Sequence, residues 1–493
     1  MNASAPARAQ QNPLSAAASS APDFERLKSA PEKIIELTQA QMYALPREAQ
    51  AELQLAGLRK RFGELIERIP MLRKLAEEQR ITDIGRIEDV APLLVPHSAY
   101  KSYALSVLEK GQFDRLTRWL DGLTAHDLSG LDASKCDSID DWIDLLDATT
   151  PIRVLHSSGT SGKLSFLPRS VAEFHIMVTG WRRQFDHFRD ERPLLGVPVE
   201  QAPTIYLQYR HGGMAMHRLL HFMVADLYGG DVGRTLTLHQ GRFSADVASI
   251  GGRLRAAEAK GELGRIQLSP KLVARREAFI KEQKDAPLRM EQFLDELHGR
   301  FAGQCVSIMG HVPGLYEVAS AGLKRGMEGV FRPDSFVQAG GGLKGKTLPG
   351  DWQETVRRFF NVPKLSAGYG MTEIVASLGR ACAGGNFHVP PWVIPFLLDP
   401  KSGQPYPRSG THTGRFGAYD LNAQTYWGGF LTGDEVTLAW GDSAACQCGR
   451  IGAYVRPSIR RYTEKEGGDD KITCAGAPDA HDKAIDYIVR MAG

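Results

Sequence analysis

The segment best equipped for chemistry is Leu155–Pro168, LHSSGTSGKLSFLP. Ser157, Ser158, Thr160 and Ser161 supply hydroxyls, Gly159 and Gly162 let the backbone come close to a ligand, and Lys163 adds a cation. A bend of backbone N–H groups and hydroxyls beside an ammonium suits a polyphosphate. The spacing is not that of the P-loop, G-x-x-x-x-G-K-[ST]. Here only Thr160 and Ser161 separate the two glycines, and Leu164 follows the lysine. Taken alone, the segment also fits a Ser/Gly-rich surface loop.

Ser157 to Gly162 match the signature [ST]-[ST]-G-[ST]-[ST]-G that opens the phosphate motif of the adenylate-forming superfamily. The chain therefore resembles acyl-CoA synthetases, firefly luciferase and peptide-synthetase adenylation domains. It departs from them where Lys163-Leu164-Ser165 replaces the family's x-P-K. Two further segments follow in family order: Ala367–Glu373 (AGYGMTE) and Leu431–Glu435 (LTGDE). Each is weak alone, and the ordered set is specific.

The resemblance implies roles for these residues. Tyr369, next to Gly370, would stack on adenine, Thr372 would touch the α-phosphate, and Glu373 would bind Mg²⁺. Asp434 would accept from the ribose hydroxyls. Ser157–Gly162 and Lys163 would hold the β- and γ-phosphates. Gly340, Gly341 and Gly342 resemble the Gly-rich strand end that lines the adenine pocket. A hard oxygen ligand for a hard cation is sound chemistry for Glu373.

Cys382 and His388 stand in CAGGNFHVPPW, and Cys446 and Cys448 in a C-x-C pair. That order resembles phenylacetate-CoA ligases. The Gly-rich segment before AGYGMTE, and FHVPPW followed by DPKSG, look closer to acyl-protein synthetases, the ligase components of bacterial luminescence fatty-acid reductases. Three thiolates and an imidazole suit a closed tetrahedral zinc site; buried structural cysteines are the alternative. A zinc there would be structural, because adenylation has no use for a zinc-bound water.

Other histidines point to packing or pocket lining. His217 and His221 lie one helical turn apart in HGGMAMHRLLH without an H-E-x-x-H pattern. Tyr209, Arg210 and Gly212–Gly213 fall where the family's acyl-pocket segment lies, and His311 could line the same pocket.

The family carries a mobile C-terminal domain after a hinge. Here EGGDDKITCAG, with Asp469 and Asp470, resembles the hinge, and Ala477–Gly493 follow it without a lysine motif. The expectation is a truncated, vestigial C-terminal segment over 456–493, with the family's ribose-contacting arginine either lost or supplied by Arg450. Cys474, placed like the acylated cysteine of acyl-protein synthetases, is the acyl-acceptor candidate.

These residues need a large scaffold to position them. The chain has 493 residues, 42% hydrophobic and 24% charged, with a formal net charge of +3. So small a charge argues against nucleic acid or an anionic membrane as partner. No apolar run reaches the length of a membrane span. Residues 1–22, rich in Ala, Ser, Gln and Pro, read as a disordered tail without a secretory signal. Six cysteines in so long a chain are no disulfide framework, and the expected compartment is the reducing cytosol.

Leu53, Leu58, Phe62, Leu65 and Ile66 recur at helical steps within a helical entry segment, Asp23 to Val90. The acidic stretch between Ser129 and Thr150 reads as a surface helix with solvated charges. Thr204–Gln208, Val306–Gly310 and Ser335–Gln338 read as strands alternating with helices, for example Lys271–Phe301. Gly410 to Trp440 reads as short strands of a small β-barrel or edge sheet.

The expected fold is α/β: an adenylation domain over 23–455, with two sheet-and-helix lobes and a small β-subdomain. The expected function is ATP- and Mg²⁺-dependent activation of a carboxylic acid to an acyl-adenylate, then transfer to a protein thiol or other acceptor. An acyl-accepting protein or a reductase would be the partner. The alternatives are a phenylacetate-type CoA ligase and a non-catalytic nucleotide- or acyl-binding scaffold.

Overall fold

Hydrophobic runs alternate with helical stretches along most of the chain, and among the described residues they sort into two large sheets with helices packed against them, plus a two-stranded hairpin. The structure, a computed structural model, describes residues 22–157, 163–189, 191–261, 277, 280–281, 284–341, 347–442, 445–462 and 480–491.

Its strands, in chain order, are β1 (Val95–Pro96), β2 (Leu155–His156), β3 (Phe166–Leu167), β4 (Thr204–Gly212), β5 (Thr235–Phe243), β6 (Ser307–His311), β7 (Phe336–Gly340) and β8 (Ser366–Tyr369). Then come β9 (Gly379–Arg380), β10 (Phe387–His388), β11 (Val393–Leu398), β12 (Thr411–Asp420), β13 (Gly429–Ala439), β14 (Tyr454–Val455) and β15 (Arg460–Arg461).

One six-stranded sheet runs β5-β4-β6-β7-β8-β9. Its first five strands are parallel and β9 is antiparallel. Parallel strands need crossovers, and helices Ala215–Asp226, Val312–Lys324 and Trp352–Phe360 supply them. The strands expected around Thr204, Val306 and Ser335 are β4, β6 and β7. Ile205, Ile308 and Val337 form a core with Leu294, Leu297, Leu315 and Phe359. Gly322 makes that packing possible, since a Cβ there would lie 2.0 Å from the Phe359 ring.

The second sheet, of seven strands, runs β10-β14-β13-β12-β11, with β1 and β15 also paired to β13. Two expectations are corrected here. The Gly410–Trp440 region is not a set of short edge strands. β12 and β13, of 10 and 11 residues, are long and central in this sheet. Their glycines serve close packing: a Cβ on Gly417 would lie 2.9 Å from Leu431.

The acidic helix, Ile139–Thr149, is solvated on one face only, where Asp144, Ala148 and Thr149 are exposed. Trp142, Ile143 and Leu146 are fully buried. Its carboxylates are paired, Asp147 with Arg218, Asp144 with Arg242, and Asp140 with the Ser244 hydroxyl and the Ala245 amide.

The entry segment is helical as expected. Its long helix, Arg47–Leu65, lies against the second sheet, and buried Arg61 donates to the Leu421 carbonyl at 3.0 Å. Of 456–493, residues 456–462, which include β15, and the helix Ala480–Met491 are described. Ile488 of that helix is buried against Gly122, and Lys483 pairs with Glu78. Among the described residues no helix is long and apolar enough to cross a membrane.

Candidate active site

Parallel α/β sheets bind ligands outside the carboxyl ends of their strands. Those ends collect much of the chemistry singled out above. Gly340 closes β7, and Gly341 turns the chain with φ 69°, a left-handed conformation that glycine adopts without a Cβ clash. Gly342 lies outside the described residues. Tyr369 closes β8, with Gly370 following it.

Tyr369 faces the other sheet. Its hydroxyl donates to Asp434 Oδ2 of β13 at 3.0 Å, and its ring packs at a tilt against Phe387 and Phe416, with centroids 6.0 and 5.9 Å away. Burial, then the Asp434 carboxylate, push the Tyr369 phenol well above its ordinary range, so it stays a donor. Asp434 Oδ1 pairs with Arg461 Nε at 2.9 Å, an exposed guanidinium on β15. Arg450 is buried and pairs with Glu191. Its two terminal nitrogens each meet a Glu191 oxygen at 2.7 Å, and it packs over Tyr43 and Phe188. The cation at Asp434 is Arg461.

Below Tyr369, the backbone from Thr372 to Val375 is held by three side chains that sequence reasoning missed. Arg169, with no exposed surface, donates to the carbonyls of Thr372 (2.8 Å), Ile374 and Val375 (3.4 Å). Asp420, equally buried, accepts from the Val375 amide at 2.6 Å, and the Tyr426 hydroxyl donates to the Glu373 carbonyl at 2.8 Å. Burial lifts Asp420 to about 6. It lifts the Glu373 carboxyl too, against Arg461 and Arg169, which lower it.

Arg169 reaches this place because the next residue starts a helix. Ser170 and Glu173 form the capping box of Val171–Arg183. Glu173 also accepts from the Gln424 and Thr425 amides at 2.7 and 3.1 Å, tying the helix to the β12–β13 turn. The sequence signal was one arginine between an apolar run and an S-x-x-E box; nothing local named its partners.

β2 and β3, which flank the Ser157–Lys163 run in sequence, pair antiparallel. Ser158, Gly159, Thr160, Ser161 and Gly162 lie outside the described residues. Ser157 closes the base: its amide donates to the Ser165 carbonyl, and its hydroxyl accepts from the Ser165 amide at 3.0 Å. Lys163 donates to the Tyr103 carbonyl and sits 4.4 Å from the Tyr103 ring centroid. Burial and neighbouring Lys101 bring its pKa down to about 8.

The other histidines are mostly packing. His217 and His156 are buried on either side of Gly212–Gly213, and burial holds them neutral at about 3 and 4. His311 caps Val312–Lys324, its Nδ1 accepting from the Gly314 amide at 2.8 Å. Arg210 binds the Thr235 hydroxyl, at the start of β5 rather than at the strand's carboxyl end.

Cys382, His388, Cys446 and Cys448 do come together. One ligand atom from each lies within 4.8 Å of all the others. Cys382 and Cys446 sulfurs are 3.6 Å apart, and Cys448 Sγ is 3.2 Å from His388 Nε2. Zinc bonds of ~2.3 Å to sulfur and ~2.0 Å to nitrogen put tetrahedral ligand edges at about 3.5–3.8 Å, so the set fits one ion. The Cys382 thiol is pushed up by its contact with Cys448, and the Cys448 thiol is pulled down by Cys382 and then His388. Purified chain is expected to carry one zinc, measured by elemental analysis, and Cys446→Ser to lose it; a metal-free wild type overturns this. Cys474 lies outside the described residues.

No family model matches the chain, and no curated protein matches it. Among solved structures it is similar to a 2-hydroxyisobutyryl-CoA ligase in complex with 2-HIB-AMP and CoA. There the TM-score is 0.46 at 14% identity, over 85% of this chain and 69% of that one. An open conformation of that ligase gives 0.43 at 13%, over 85% and 76%. Apo MatB from Rhodopseudomonas palustris gives 0.33 at 14%, over 62% and 46%. At 13–14% identity and TM-scores under 0.5, these likenesses single out no family for this chain.

Proposed function

We propose that this chain activates a carboxylic acid with ATP, forming an acyl-adenylate and releasing pyrophosphate. The observation that carries the reading is the 3.0 Å contact from Tyr369 to Asp434. It brings the aromatic of AGYGMTE and the aspartate of LTGDE to one place from two different sheets, with Glu373 held just beyond.

In this reading the Tyr369 ring offers a flat face to adenine, and Asp434 accepts from the ribose hydroxyls while Arg461 and Tyr369 fix its carboxylate. Glu373 would hold Mg²⁺, which supplies charge neutralisation on the phosphates. A substrate carboxylate oxygen attacks the α-phosphorus, the new O–P bond forms, and the bond to pyrophosphate breaks. The protein contributes positioning and charge stabilisation. The resulting anhydride can acylate a thiol or an amine, and the acyl-protein synthetase resemblance favours a protein acceptor.

ATP–pyrophosphate exchange driven by a panel of carboxylic acids tests the reading, and exchange with none of them refutes it. CoA-dependent AMP release by this chain alone would assign the CoA-ligase alternative. Asp434→Ala is expected to raise the KM for ATP about tenfold or more with a smaller change in kcat. A ribose contact made equally in ground and transition states is uniform binding. An unchanged KM for ATP removes Asp434 from the nucleotide site.

A further inference from the structure

The Cys382/His388/Cys446/Cys448 cluster lies where the two sheets meet. β9 is the last strand of the six-stranded sheet, and Cys382 comes two residues after it. The chain then crosses to the other sheet: His388 is in β10, at the edge of the seven-stranded one, and Cys446 and Cys448 lie between β13 and β14. The crossing is short and tight. Ala381 donates to the Ala367 carbonyl and bridges Phe387, Cys382 donates to the Asn386 carbonyl at 2.9 Å, and Asn386 reaches the Cys446 sulfur at 3.4 Å.

Both ends of this crossing continue into the nucleotide residues. β9 pairs directly with β8, Tyr369 opposite Gly379 and Gly368 opposite Arg380. On the other side, β13 carries Asp434 and pairs with β14, which pairs with β10. Phe387, next to ligand His388, packs on the Tyr369 ring.

We propose that an ion held by these four residues is a strut between the two sheets, so that metal binding and nucleotide binding are coupled, each tightening the other. The proposal rests on the nucleotide reading given above. Its physical basis is pre-organisation. The nucleotide must be met by Tyr369 from one sheet and Asp434 from the other, and holding those two in register costs ordering entropy. An ion that already fixes the crossing removes part of that cost. Without an ion the crossing keeps its backbone hydrogen bonds, and the three thiols and the imidazole add only weak contacts between the two sheets. Zinc is the species that fits the donors. It touches no reacting atom, and its effect on the nucleotide passes through Phe387 and β9.

Linkage makes the test two-sided, because the factor by which zinc tightens ATP must equal the factor by which ATP tightens zinc. The full chain is titrated with Mg-ATP by calorimetry, zinc-loaded and after stripping with a zinc-selective chelator. Zinc affinity is measured by chromophoric chelator competition with and without Mg-ATP. The expected coupling is about tenfold in both directions. The second arm starts from loaded protein and stands even where stripping unfolds the chain. Phe387→Ala should keep one zinc per chain and bring the coupling factor close to one.

Equal affinities in the two arms overturn the strut, as does full coupling in Phe387→Ala. A wild-type chain without zinc overturns it at the metal. A zinc-loaded chain that binds no ATP overturns it together with the nucleotide reading, which separates that failure from the loss of coupling alone.

Discussion

Replacing Glu373 by glutamine is expected to lower Mg²⁺-dependent ATP–pyrophosphate exchange by about a thousandfold or more, while the chain stays folded. An amide keeps the size of the side chain and loses the charge. The metal's share of transition-state stabilisation is several kcal/mol, and each ~1.4 kcal/mol is a factor of ten. The pH dependence gives a second signature. Burial holds the Glu373 carboxyl above its ordinary range, so it takes up a proton at a higher pH than an exposed glutamate does. The protonated form cannot hold the cation. Exchange should therefore fall as pH drops through that raised pKa, and added Mg²⁺ should move the fall to lower pH by competing with the proton. In Glu373→Gln that limb should be missing from whatever activity remains. Full exchange by the variant would remove Glu373 from the metal site.

Arg169→Met should be the most damaging substitution away from the reacting atoms. It removes a buried guanidinium and strands up to three carbonyls, those of Thr372, Ile374 and Val375. Leaving buried acceptors unpaired is expected to cost about 3–5 kcal/mol in all, a large fraction of ordinary domain stability. The midpoint of urea unfolding reads that loss. Arg169 is a positioning residue in this account, since it acts through the backbone that presents Thr372 and Glu373. Its positive charge also lowers the Glu373 pKa. Residual exchange in the variant should therefore show its acid limb displaced to higher pH, a shift that lost stability alone does not produce. Arg169→Lys keeps the charge without the planar fork, so it should restore the limb and only part of the stability. An Arg169→Met chain with unaltered unfolding midpoint and unaltered pH profile would dismiss the role.

What the sequence by itself determined is mostly local. The phosphate motif, AGYGMTE and LTGDE are short runs whose residue types carry their chemistry wherever the chain puts them. The alternation of strands and helices after Pro151 follows from side-chain periodicity, which is a local property. The four candidate metal ligands could be named because cysteines, six in 493 residues, are scarce in the chain.

The tertiary structure alone decided the partners. Tyr369 and Asp434 lie in different sheets, and no periodicity says that two sheets will bring them to 3.0 Å. Arg450 and Arg461 are both arginines shortly after LTGDE; only the fold shows one clamped on Glu191 and the other on Asp434. The acidic helix read as solvated because charge runs usually are, yet Arg218 and Arg242, distant in sequence, neutralise it. Arg169, Asp420 and Tyr426 were invisible for the same reason. A buried polar side chain is specified by the groups it must satisfy, and here those groups are backbone atoms of a segment far away along the chain.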